Sequence, residues 1–250
     1  MKILIASDTY YPHANGASYF TQRLAHYLTL REHTVAVIAP SETAQNTLRI
    51  IDAVPVYGVR SFPVFFYRGF RFAMPGFTRA YIRKAIDDVH PDIIHIQNHF
   101  IIGRAVVREA RKRGIPVIAT NHFMPENLTH YLRLPETITK KINRVLWWDF
   151  ERTFAYASAV TTPTQTATSL VSGRLSQPVE AVSCGIDTKH FTPRSDAKDP
   201  AFLTRYALPH GRILLYVGRL DREKNLSAVI RSFALSTAKD VHLVIAGTGA

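Results

Sequence analysis

Ile213-Leu-Leu-Tyr-Val-Gly218-Arg219-Leu-Asp-Arg-Glu-Lys224-Asn225 is an apolar run that stops at a glycine, with cations directly after it. A helix-like segment follows from Leu226 to Thr237. A strand that ends in a Gly-containing loop before a helix is a place to hold a phosphate. The glycine lets the backbone come close, the helix start offers free N–H groups, and the cations supply charge. Arg219 can grip two phosphate oxygens with its planar fork, while Lys224 acts as a mobile point charge. An ordinary βα turn with its basic residues in water fits the same spacing.

The same alternation extends upstream. Apolar runs suited to buried parallel strands are Ile3–Ala6, Thr34–Ala39, Ile93–Ile96, Pro116–Thr120, Ala159–Thr162 and Val179–Ser183. Helical patterns lie near Ala17–Leu30, Phe77–Val89, Ile102–Lys112, Glu136–Tyr156 and Gln165–Gly173. This order predicts a doubly wound, Rossmann-like α/β sheet whose ligands bind beyond the C-terminal strand ends. Phe191 to Gly211, rich in Pro and Asp, reads as a linker. A second βαβ then begins at Ile213. The expected organisation is a first domain over 1–190, a linker over 191–211, and the start of a second Rossmann-like domain over 212–250.

The chain has 250 residues, 46% hydrophobic and 20% charged, which suits a globular protein with a sizeable core. One cysteine, Cys184, excludes an internal disulfide and suggests a reducing compartment. No stretch reaches the ~18 apolar residues of a membrane span, and no signal-peptide pattern is visible. The net charge of +12 implies an acidic partner. Between Asp52 and Asp87 there is no acidic residue, and Arg68, Arg71, Arg79 and Arg83 are interleaved with Phe65, Phe66, Phe70, Phe72 and Phe77. Docking on an anionic membrane surface and a packed element with its arginines in water both fit this stretch. Nucleic acid is a third reading of the same charge, and no nucleic-acid partner is expected.

Gly218-Arg-Leu-x-x-Glu-Lys-Asn225 resembles the diphosphate-binding motif of the retaining GT-B glycosyltransferases of family 4. Other segments are similar to that family in the same order. Met1–Asp8 with Pro12-His-Ala-Asn15-Gly16 looks like its first strand and glycine loop, and Asp92-Ile-Ile-His95 and Pro116–His122 like its two strand-end histidine segments. Thr161-Thr-Pro163-Thr looks like its T-x-P-S segment, and Gly185-Ile-Asp187 with Phe191-Thr-Pro193 like its hinge. The resemblance implies a GT-B enzyme that moves a hexose from a nucleotide-sugar donor to an acceptor hydroxyl, a membrane lipid or a sugar, with retention. It implies Gly16, Arg219 and Lys224 at the donor diphosphate and His122 at the donor sugar as the catalytic-site histidine. Asn15, His95 and Glu126 would lie at the acceptor or in the cleft. No metal or other cofactor is expected, since the two cations would take a metal's place. The family's E-x7-E motif is not within these residues, so the chain is expected to be an incomplete form. The expected location is the cytoplasm, at the inner face of the cell membrane if the acceptor is a lipid. The competing reading is a non-catalytic GT-B-derived module at a lipid surface.

His95 and His99, four apart, invite a metal reading, but His95 sits in a strand and no carboxylate completes a set. The loop after the first strand lacks G-x-G-x-x-G, which argues against a nicotinamide or flavin enzyme.

Overall fold

The computed structural model describes every residue except 14, 65–70, 127–128, 130–133, 193–199, 210, 222–223 and 250. The chain divides into two compact units, Met1–Cys184 and Gly185–Ala250.

Unit 1 is built on an eight-stranded sheet of order β10-β9-β8-β7-β1-β2-β4-β3. Its strands are β1 (Lys2–Ala6), β2 (Thr34–Pro40), β3 (Thr47–Ile51), β4 (Val54–Val59), β7 (Ile93–Ile96), β8 (Val117–Thr120), β9 (Ala159–Thr162) and β10 (Val179–Ala181). All neighbours pair in parallel except β3 with β4. The period of two along each strand sorts residues between two cores. On β1 and β2, Leu4, Ala6, Ala36 and Ile38 face one core, while Ile3, Ile5, Val35 and Val37 face the other. Helix α1 (Gly16–Leu30) covers the second core with Leu24, Ala25 and Leu28. Helices α2 (Pro75–Val89), α3 (Ile101–Arg113) and α4 (Glu136–Phe154) cover the first with Ile82, Ile86, Val106, Phe150 and Phe154. Helix α5 (Gln165–Val171) joins β9 to β10 and adds Val171 to that core. With helices on both faces, the sheet is doubly wound, as the alternation predicts.

Two features were not legible in the pattern. β3 and β4 form a hairpin in which Ile51 faces Val54, so Asp52 and Ala53 alone make the turn. Both have positive φ, 49° and 64°, the geometry of a type I′ turn. Alanine is a poor marker for that conformation, so the usual Asn-Gly signal is missing. A second hairpin pairs β5 (Ser61–Pro63) with β6 (Arg71–Ala73), setting Phe62 opposite Phe72.

In unit 2, β11 (Arg212–Val217) and β12 (Val241–Ala246) pair in parallel around helix α7 (Leu226–Ala234). The stretch read as a linker contains a helix, α6 (Pro200–Arg205). Proline suits a first helical position, because its missing N–H would be unpaired there anyway.

Candidate functional site

The strand order reverses between β1 and β7, and in open α/β sheets the loops leaving the carboxyl ends at such a point part and leave a crevice for ligands. The local sequence then builds its walls. Asp8, just past β1, is buried, with Oδ1 accepting from the Ile102 N–H at 2.8 Å and Oδ2 from the Gly103 N–H at 3.3 Å. It thereby caps α3, whose own preceding residue, Phe100, makes no side-chain cap. Burial raises the Asp8 pKa to about 6 against the pull of those N–H groups. The close fit requires Gly103, where a Cβ would lie 1.9 Å from the Asn98 carbonyl oxygen.

On the other side of the crevice the β1 loop runs into α1. Asn15 caps that helix: its Oδ1 accepts from the Ser18 N–H at 2.9 Å, and its Nδ2 donates to Thr9 Oγ1 at 2.7 Å. A Cβ on the neighbouring Gly16 would meet nothing within 4 Å. Gly16 is therefore not required by packing, and the space beside its backbone is open.

One turn along α1, the Phe20 ring lies 4.9 Å from that of His122, which follows β8. His122 Nε2 is 2.9 Å from Gln97 Oε1 at the end of β7. The amide oxygen only accepts, so Nε2 carries the proton and Nδ1 is left as an acceptor. Burial lowers the His122 pKa to about 4, so the ring is neutral near pH 7. His95 lies in β7 with its Nε2 2.7 Å from Thr120 Oγ1, which is in turn 2.7 Å from Thr161 Oγ1 on β9. Burial, and then the neighbouring His122, lower the His95 pKa to about 4.

The structure thus gathers Asn15, Gly16, His95 and His122 around the ends of β1, β7 and β8. Glu126 is turned to α4, where its Oε1 accepts from the Trp147 indole N–H at 2.9 Å. His99, four residues from His95, is core: fully buried, ringed by Phe100, Phe123, Phe150 and Phe154. Among the described residues no group of three His, Cys, Asp or Glu could hold a metal ion. Sequence reasoning missed Gln97 and Phe20. A fully buried glutamine at a strand end leaves no periodic signal, and Phe20 reads as ordinary helix core.

Arg219 and Lys224 belong to unit 2. β11 ends at Gly218, and Arg219 follows with Nη1 3.2 Å from Asp221 Oδ2, its carbonyl accepting from the Tyr216 hydroxyl at 2.9 Å. Lys224 donates its backbone N–H to the Asp221 carbonyl, and Asn225, at φ 47°, precedes α7 without a side-chain cap. The expected strand, glycine, cation and helix order is present, with Arg222 and Glu223 outside the described residues.

Of the four arginines in the membrane reading, Arg79 and Arg83 are exposed on α2 and Arg68 lies outside the described residues. Arg71 is not a free surface cation. Its Nε donates to the Ser41 carbonyl at 2.7 Å and to Ser61 Oγ at 2.8 Å, and its Nη2 to the Ser61 carbonyl at 2.8 Å. No described helix is long and apolar enough to cross a membrane.

The chain matches a family model, Glycosyltransferase Family 4, over residues 14–190. It is 27% identical over its whole length to the alpha-monoglucosyldiacylglycerol synthase of Streptococcus pneumoniae, covering 56% of that protein. It is 26% identical, again over its whole length, to a GDP-mannose-dependent alpha-mannosyltransferase of Mycobacterium tuberculosis, covering 63%. The chain therefore spans roughly three fifths of these relatives. Among solved structures, the sucrose-phosphate synthase of Thermosynechococcus elongatus superposes over 98% of the chain and 62% of its own, with TM-score 0.73 at 13% identity. The catalytic domain of Arabidopsis thaliana starch synthase IV, bound to ADP and acarbose, superposes over the whole chain and 69% of its own, with TM-score 0.63 at 14% identity. The doubly wound sheet and these likenesses give a GT-B fold, and the chain belongs to Glycosyltransferase Family 4.

Proposed function

We propose that the protein moves a hexose from a nucleotide-sugar donor to an acceptor hydroxyl, with retention at the anomeric carbon. The observation that carries this reading is His122, kept neutral by burial and positioned by Gln97 and Phe20, in a chain of this family whose Gly16 backbone is open. A neutral imidazole with a free Nδ1 accepts a hydrogen bond from a sugar hydroxyl and so orients the donor. Gly16 admits the diphosphate. In unit 2, Arg219 and Lys224 supply the positive charge that a leaving diphosphate needs as its negative charge builds. On this reading the two cations do a metal's work, and no metal ion is needed.

A lipid acceptor is favoured over a soluble sugar. The Streptococcus pneumoniae relative is named for a glucosylated diacylglycerol. Phe62, Phe72, Met74 and Phe77 are exposed together, with the Arg60 guanidinium over Phe62 and Phe77 at 5.4 and 5.0 Å. Exposed aromatics beside cations suit the headgroup layer of a membrane, which supports docking at the inner face of the cell membrane.

The test is to give a protein carrying these residues a panel of nucleotide sugars, with diacylglycerol vesicles and soluble sugars as acceptors. Products are identified by mass spectrometry and their anomeric configuration by NMR. An α-linked glycolipid is expected. A β-linked product would refute retention, transfer only to soluble sugars would refute the lipid acceptor, and no transfer from any donor would refute the whole reading.

A further inference from the structure

Away from the crevice, a groove of about 450 Å³ runs between α2, α3 and α4, continuous with a smaller cavity of about 90 Å³ through shared Arg79 and Arg108. Six cations line the two: Arg79, Arg104, Arg108, Arg111, Lys112 and Arg152. The arrangement follows from α3, where residues 104, 108, 111 and 112 recur at helical spacing and make one stripe. Its last turn carries Arg111, Lys112 and Arg113, which the negative end of the helix dipole stabilises.

The acids nearby are already committed. Glu109, the one carboxylate lining the groove among the described residues, is buried and paired with Lys112 at 2.9 Å and Arg113 at 2.8 Å. Asp149 lies within electrostatic reach of Arg104, Arg108 and Arg152 but bonds only Arg104, at 3.0 Å. Arg79, Arg108 and Arg152 have no carboxylate partner among the described residues. Like charges crowded into a concave, unneutralised wall favour an anion, and guanidinium forks match phosphate oxygens in particular. Pro75, Ile101 and Ala105 give the narrow cavity an apolar wall.

We infer that this groove is a binding site for a small phosphate-bearing anion, with Arg108 and Arg152 gripping the phosphate and Arg79 closing over it. The ligand is a soluble phosphorylated molecule or the phosphorylated headgroup of a lipid. Neither the family assignment nor the donor reading is needed for it.

The test uses the 250-residue chain with Arg219→Ala and Lys224→Ala, which removes the other cations assigned to phosphate. Inorganic pyrophosphate is titrated at constant ionic strength by calorimetry, with potassium chloride as the control. One saturable site is expected. Arg108→Gln with Arg152→Gln should weaken it roughly 10- to 100-fold, as loss of charge-assisted hydrogen bonds does. Both positions are exposed, so the fold should survive. If it does not, Arg108→Lys with Arg152→Lys keeps the charge, removes the forks, and should still weaken binding. Phosphatidate vesicles that compete with pyrophosphate identify a lipid headgroup as the ligand, and vesicles that do not compete identify a soluble one. Absence of saturation, equal binding by the variants, or reproduction of the effect by chloride would overturn the inference.

Discussion

Asp8 is sealed under α3 with a pKa raised to about 6, while His122, across the crevice, is held neutral with a pKa lowered to about 4. Desolvation drives both, with opposite signs because one group is charged when ionised as an acid and the other as a base. Their roles differ as well. Asp8 replaces a helix cap the local sequence lacks, whereas His122 keeps one ring nitrogen unspent within the site. In unit 2, Arg219 and Lys224 are the residues expected to meet the charge on a leaving diphosphate. A charge-assisted contact of that kind is worth roughly 2–4 kcal/mol in the transition state. Arg219→Ala is therefore expected to lower kcat/KM by roughly 30- to 1000-fold, with Lys224→Ala similar. Steady-state kinetics of both variants at wild-type level would remove them from the site. His122 and the Gly218–Asn225 loop were legible from sequence because each sits directly after an apolar run. Gln97 was not, since its partner lies 25 residues away.

The hairpin β5–β6 and helix α2 divide the basic-aromatic stretch into parts with different work. Arg71 ties the hairpin to Ser41 beyond the end of β2, while Arg79 and Arg83 project from the exposed face of α2. Substitution should separate the two. Arg71→Gln removes hydrogen bonds from a charged donor and is expected to cost about 1–3 kcal/mol of stability, read from denaturant midpoints. Arg79→Gln with Arg83→Gln should leave stability within about 0.5 kcal/mol. The same pair should reduce sedimentation with anionic vesicles, each cation near the surface contributing roughly 1 kcal/mol. Full vesicle binding by that pair would make the stretch a packed surface element instead. The sequence pattern showed the charge run but could not tell a bound arginine from a free one. That difference depends on Ser41, thirty residues earlier.

Across the whole molecule, stability should depend on pH through groups buried uncharged. His95, His99 and His122 have pKa values lowered to about 4, so acidification from about 6.5 to about 4 protonates the unfolded chain first and destabilises the fold. Asp8, raised to about 6, works the other way, and its burial costs more as pH rises from about 4 to about 6. His13, Glu109 and Asp187, all lowered, act with these histidines, and Asp149, raised by burial, acts with Asp8, so the melting temperature is expected to fall between pH 6.5 and 4. A Tm that is flat or rises over that interval would mean the histidines are solvated. The two units differ in how much apolar surface they bury. The eight-stranded sheet has a core on each face, whereas in unit 2 Leu214, Leu215 and Val217 of β11 remain 50%, 57% and 72% exposed.

The sequence by itself determined the alternation of the parallel strands with helices, the doubly wound architecture and the position of His122 and Arg219 after strand ends. Those follow from hydrophobic period and from where an apolar run stops, both of which are local. Tertiary structure alone decided which polar groups meet. The capping of α3 by Asp8, the pairing of His122 with Gln97, the tethering of Arg71 and the joining of three helices' cations in one groove all span long stretches of chain. Side-chain partners of that kind depend on how elements pack, which no periodicity records.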